Sequence, residues 1–211
     1  MKSLVLSLAM CCASLASAAE PGAPREGLPS QPISPMTIHG HTNALVLRNR
    51  QLEVTVLPDT GRIGALRFAG MDNVLRFDQA LAERTAGQPA EDGNWRNFGG
   101  DWMWPVSQAR WAGAFGRQWP PPLSLDGMPW RGHAWRSDDG ALHALLRLDI
   151  GAPAFISVQR RIRLDPEAAE LTIRQRIERT AESQVPVTAW NISQVAGARR
   201  VIIAMEHTTK T

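Results

Sequence analysis

The chain has 211 residues, with 23 basic and 20 acidic side chains, eight tryptophans and no tyrosine. A formal charge of +3 is too small to capture nucleic acid or an anionic membrane surface, so neither is expected as a partner. Both cysteines, Cys11 and Cys12, fall in the first stretch of the chain. Everything after it must be held by packing rather than by disulfides.

That first stretch reads as a secretory signal. Lys2 supplies the basic start, Leu4 to Ala13 the apolar core, and Ala16-Ser17-Ala18 the small-residue cleavage site. Processing as a lipoprotein at Cys11 would need a small residue where Met10 stands. Residues 1–18 are thus expected to be removed on export to the periplasm or beyond, leaving a net charge of +2 and no membrane span. Residues 19–42, rich in Pro, Gly, Ser and charge without periodicity, are expected to be a disordered leader. Residues 43–211 are expected to form one domain.

Short β-type runs follow, at Ala44 to Arg48, Gln51 to Leu57, Arg62 to Phe68 and Val74 to Phe77. Pro58-Asp59-Thr60-Gly61 and Gly70-Met71-Asp72-Asn73 supply turns between them. Asp78 is placed to cap a brief helix over Gln79 to Thr85, with Gly87 to end it.

Residues 94–135 hold seven of the eight tryptophans. Gly99-Gly100, Pro105 and Pro120-Pro121-Pro122 interrupt them, so an irregular excursion is expected here rather than a helix or a central strand. An ordered loop of this length is usually functional. Indole rings stack on the C–H faces of sugars, and Asn97, Asp101 and Gln108 could bind hydroxyls beside them. Seven rings exceed what one sugar needs, so most of them must be structural. Trp102 and Trp104, next to the glycine pair, are the expected contacts.

Beyond the excursion, Asp139-Gly140 reads as a hairpin turn leading into Leu142 to Asp149. Ala154 to Leu164, Glu170 to Arg179, Val185 to Val195 and Arg199 to Met205 read as further strands. Ile156, Val158, Ile162 and Leu164 share one face of their run and Ser157, Gln159, Arg161 and Arg163 the other. The pattern is that of a mostly-β antiparallel sandwich. A tight corner at Asp165-Pro166-Glu167 would set Leu164 opposite Leu171, Ile162 opposite Ile173, and Arg160 opposite Gln175. The last two are polar groups on an apolar face, and they are expected either to form a hydrogen-bonded couple or, the favoured reading, to snorkel outward at the sheet margin.

The string LEVTVLPDTGRIGALRFAGMDNVLRF (Leu52 to Phe77) resembles the opening of galactose mutarotase-like proteins. RRIRLDPEAAELTIRQRIERTAESQVPVTAWNISQV (Arg160 to Val195) resembles their later meander. NFGGDWMWP (Asn97 to Pro105) is closest to a bacterial subgroup of unassigned function. The resemblance implies a supersandwich that binds a sugar across one sheet face, with strands continuing beyond Thr211. It also implies an acid–base pair, and here the chain departs from the family. Val195 stands at the catalytic histidine, Phe98 at a second histidine, and the catalytic glutamate would lie past the end of the sequence.

The expectation is therefore an exported carbohydrate-binding protein without the usual aldose 1-epimerase pair. Asn97, Asp101, Trp102, Trp104, Gln108, Asn191 and Gln194 are its candidate contacts. An enzyme with another acid–base set would rest on His133 with Asp101. A structural role would bury the tryptophans at an interface. No cofactor or metal is implied; His39-Gly40-His41 reads as a solvated pair without acidic partners.

Overall fold

A computed structural model describes residues 5–9 and 31–197. In chain order its elements are β1 (Val5–Ala9), β2 (Gln31–Ile33), β3 (Met36–Ile38), β4 (His41–Arg48), β5 (Leu52–Leu57), β6 (Arg62–Phe68), α1 (Gln79–Thr85), β7 (Asp101–Trp104), α2 (Trp111–Phe115), β8 (Arg131–Arg136), β9 (Leu142–Ile150), β10 (Ile156–Leu164), β11 (Glu170–Arg179) and β12 (Trp190–Ser193). They form two six-stranded sheets, one ordered β1-β11-β10-β9-β8-β2 and the other β12-β7-β6-β5-β4-β3. All pairings are antiparallel except β1 on β11, and the sheets pack face to face as a sandwich.

Period-two alternation accounts for the first sheet. In β10 every second side chain from Ile156 to Leu164 is buried and points at the opposing sheet. Asp165 closes the corner to β11 by accepting the backbone N–H groups of Glu167 (2.9 Å) and Ala168 (2.8 Å). That corner sets Leu164 against Leu171, Ile162 against Ile173 and Arg160 against Gln175, the register expected from the sequence. The helix cap is also as expected: the Asp78 carboxylate accepts Leu81 N–H at 2.8 Å and starts α1 at Gln79.

Other boundaries moved. Gln31, Met36 and His41 begin strands, so ordered chain starts well before Asn43 and the second half of the expected leader belongs to the sheets. Val5–Ala9, inside the stretch read as a signal, lies along β11. Val74 to Phe77 makes only isolated bridges, and Val185 to Val195 shortens to β12. The strand expected at Arg199 to Met205 lies outside the described residues.

The excursion holds the largest correction. It contains β7, which sits between β6 and β12, one strand in from the sheet edge, as well as α2 and β8. The breakers do not exclude these elements; they bound them. Gly100 precedes β7 and Pro105 follows it, while α2 fits in the gap before Pro120. At Gly99 and Gly100 φ is +80° and +82°, and a Cβ would come within 2.2 Å of Arg76 O and 2.3 Å of Ile63 O. Only glycine allows the chain to enter the sheet this tightly.

Trp135 is buried on the outer face of the first sheet, stacked at 9° on His143 of β9 with centroids 5.0 Å apart. Burial and the nearby Arg161 and Arg163 cations push the His143 pKa down from 6.5 to about 4, against a smaller opposing pull from Asp139. The unfolded chain therefore takes up this proton first as pH falls. The His143 contribution to stability should be constant above pH 7 and be lost between about pH 6.5 and pH 4, by up to about 3 kcal/mol. Urea denaturation across that range should show the slope, and His143→Gln should flatten it.

Candidate functional site

Two buried guanidinium groups organise the region around β7. Arg160, on the inward face of β10, is fully buried; it does not snorkel outward, and it does not pair with Gln175. It crosses the sandwich to donate to Gly61 O (2.8 Å) and Asp101 O (3.2 Å), and forms a charge-assisted bond to Asp101 Oδ1. Asp101 Oδ2 accepts from Asn191 Nδ2 (2.8 Å) and Ser193 Oγ (2.5 Å), and Gln175 Nε2 donates to Asn191 Oδ1 at 2.7 Å. The two polar positions on the apolar face thus belong to one hydrogen-bonded network between the sheets, which offsets part of the cost of burying them; Arg160 Nε and Gln175 Oε1 are left without a partner among the described residues.

Arg62, at the start of β6, is equally buried. Its guanidinium lies 4.1 Å from the Trp102 ring centroid, donates to Gly99 O at 3.1 Å, and meets both oxygens of Asp126 at 2.9 and 2.8 Å. Burial lowers the Arg62 pKa from the ordinary arginine value, and Asp126 opposes that shift. Asp126 Oδ2 also accepts the indole N–H groups of Trp95 and Trp104, both at 2.9 Å. One carboxylate from the excursion therefore neutralises a buried cation on the sheet and fixes two indoles.

Around this anchor most of the aromatic residues form packing rather than a binding wall. Trp102, Trp104, Trp111, Trp130 and Trp135 are buried, and Trp104 meets Trp102, Trp111 and Trp190 edge to face at 5.0 to 5.9 Å. Trp102 and Trp104, the expected sugar contacts, are core residues: β7 is covered on both faces, so neither ring reaches a cavity. Trp95 is half-buried and Trp119 is 51 % exposed.

A cavity of about 420 Å³ opens where the excursion meets the second sheet. His41, Asp59 and Thr60 line it from the strand side, Glu91 from the loop that precedes the excursion, and Trp95 and Asp126 from the excursion. His41 is buried, not solvated: its Nδ1 lies 3.0 Å from Asp59 Oδ2, and its enclosed Nε2 has no hydrogen-bond partner. Asn43 Nδ2 donates to Asp59 Oδ1 at 2.7 Å, so both carboxylate oxygens of Asp59 are engaged. His39 instead lies 3.1 Å from Glu83 at the surface.

None of the residues expected to bind ligand lines this cavity. Asp101 and Asn191 are in the inter-sheet network. Gln194 accepts from Arg76 at 2.9 Å, Gln108 lies half-buried in a short 3-10 turn, and Asn97 is half-buried with an unpartnered Oδ1. His133 is exposed on β8 and Asp101 buried on β7 in the other sheet, so they cannot act as one acid–base pair. Sequence reading missed His41, Asp59, Trp95 and Asp126 as a group. Asp59 carried only a turn signal, and nothing local shows which of seven tryptophans will stay half-open. Among the described residues, no group of three or more histidine, cysteine, aspartate or glutamate side chains could hold a metal ion.

No protein-family model matches the chain, and neither a curated protein nor a solved structure matches it.

Removing the anchor should be costly. Asp126→Ala leaves a buried guanidinium unpaired and two indole N–H groups unsatisfied, and should lower unfolding free energy by about 3–5 kcal/mol. Chemical denaturation followed by tryptophan emission checks this. A loss below about 1 kcal/mol would mean that Arg62 is neutralised elsewhere.

Proposed function

We propose that this protein is an exported carbohydrate-binding protein of mutarotase-like architecture, which holds a sugar or sugar-like small molecule in the cavity between the excursion and the second sheet. The observation that carries the reading is the lining. One half-buried indole, Trp95, shares the cavity with hydroxyl, carboxamide and carboxylate groups from Thr42, Thr60, Asn94, Gln88 and Glu91. A pyranose presents that same combination, an apolar C–H face and a rim of hydroxyls. The volume of about 420 Å³ falls in the range of small-molecule sites.

The Trp95 ring is held for this task. Its N–H is tied to Asp126, so the indole cannot turn away, and a rigid aromatic surface costs little entropy when a ligand stacks on it. Epimerisation by the family's pair is not part of the reading. Val195 is exposed at the position of the catalytic histidine, and Phe98 is packed beneath Arg62 near Phe77. Neither side chain can transfer a proton.

Titration of intrinsic tryptophan emission with a panel of mono- and oligosaccharides tests the proposal. One sugar class should give a saturable change. Trp95→Ala should abolish it, and Thr42→Val, a substitution at an exposed position, should weaken binding several-fold without altering stability. A flat response from the wild-type protein to every sugar would end the carbohydrate reading.

A further inference from the structure

The most exposed large aromatic ring of the described residues is placed beside the cavity. Trp119 keeps half its surface in solvent, although neighbouring indoles of the excursion are buried. It is not loose. One side is backed by the fully buried Trp111, near parallel at 22° with centroids 6.3 Å apart. It also packs against Trp95, nearly perpendicular at 80° with centroids 5.0 Å apart. Two residues further on, Pro121 lines the cavity. Two residues before Trp119, Arg117 pairs with Asp92, at 2.5 and 2.8 Å, and ties the middle of the excursion to the segment that leads into it.

Exposing a rigid indole forgoes the burial gained by the other rings, and the Trp111 backing removes the conformational freedom that would otherwise hide it. We infer that Trp119 is a second stacking platform continuous with the Trp95 site, and that the ligand is an oligosaccharide rather than a single sugar. One ring enters the cavity against Trp95. The next ring leaves it over Trp119, and the right angle between the two indoles selects a bent linkage. This inference rests on the carbohydrate reading of the cavity and adds the chain length of the ligand.

Calorimetric titration of the wild-type protein with glucose, galactose and their malto-, cello- and β-1,4-galacto-oligosaccharides of two to four units tests it. In the series that binds, affinity should rise roughly tenfold from one unit to two or three, as one added stacking contact would give. In Trp119→Ala, at an exposed position, oligosaccharides should bind no more tightly than the monosaccharide binds that same variant; Trp119→Phe should keep part of the gain. In the wild type, the bound oligosaccharide should shield an indole from acrylamide quenching that the monosaccharide leaves open. Equal affinity for all lengths, or a Trp119→Ala variant that keeps the length dependence, would overturn the inference while leaving the Trp95 site standing. Absence of binding by any series would remove both.

Discussion

The Arg62 guanidinium is the constraint to which the rest of this region answers. It sits at the start of β6 with no exposed surface, and a cation in that position needs a counter-charge delivered to it. The sheet does not supply one, and the excursion does, through Asp126. Because the counter-charge lies about sixty residues away in sequence, meeting it fixes the path of the whole tryptophan-rich segment over the sheet. The same carboxylate positions Trp95 and Trp104. One ring is thereby locked into the core and the other is held at the cavity wall.

Arg160 plays the complementary part on the inner side. Its side chain reaches from β10 across the sandwich to the backbone and carboxylate at the start of β7. The two arginines reach β7 and its entry from opposite sheets, and a charged pair on each side makes the register of this short strand specific. A slip of one residue would turn Asp101 away from Arg160 and Trp102 away from Arg62. Four residues are a marginal strand by hydrogen bonding alone. Electrostatic pinning from both sheets explains why so short a strand holds a position inside the sheet.

What could be read in the sequence follows from range. The β10–β11 register, the turn at Asp165 and the cap at Asp78 depend on neighbours within one hairpin or one helical turn, and all were legible. The polar pair Arg160 and Gln175 was visible as an anomaly on an apolar face. Its resolution was not, because the partners Gly61, Asp101 and Asn191 come from the opposing sheet. The excursion misled for a related reason. Glycine and proline mark where regular structure stops, but they do not say that the four residues between two such marks pair with a distant strand. His41 and Asp59 illustrate the limit at the cavity: a histidine beside a glycine and an aspartate in a turn look solvated one at a time, and become a hydrogen-bonded pair with His41 buried only when β4 folds against the β5–β6 turn.

That the predicted contacts Trp102 and Trp104 are core while Trp95 and Trp119 are open also follows from the anchor. Rings that alternate along β7 are committed to packing once the strand is pinned, since every residue of a doubly covered strand is buried. Only rings carried on the irregular parts of the excursion can remain at the surface, and only those braced by a buried neighbour present a fixed face. Trp95 is braced by the Asp126 hydrogen bond and Trp119 by Trp111. Buried indoles therefore serve here as the scaffold for exposed ones. The high tryptophan content reflects the support that two open rings require more than the number of rings a ligand would touch.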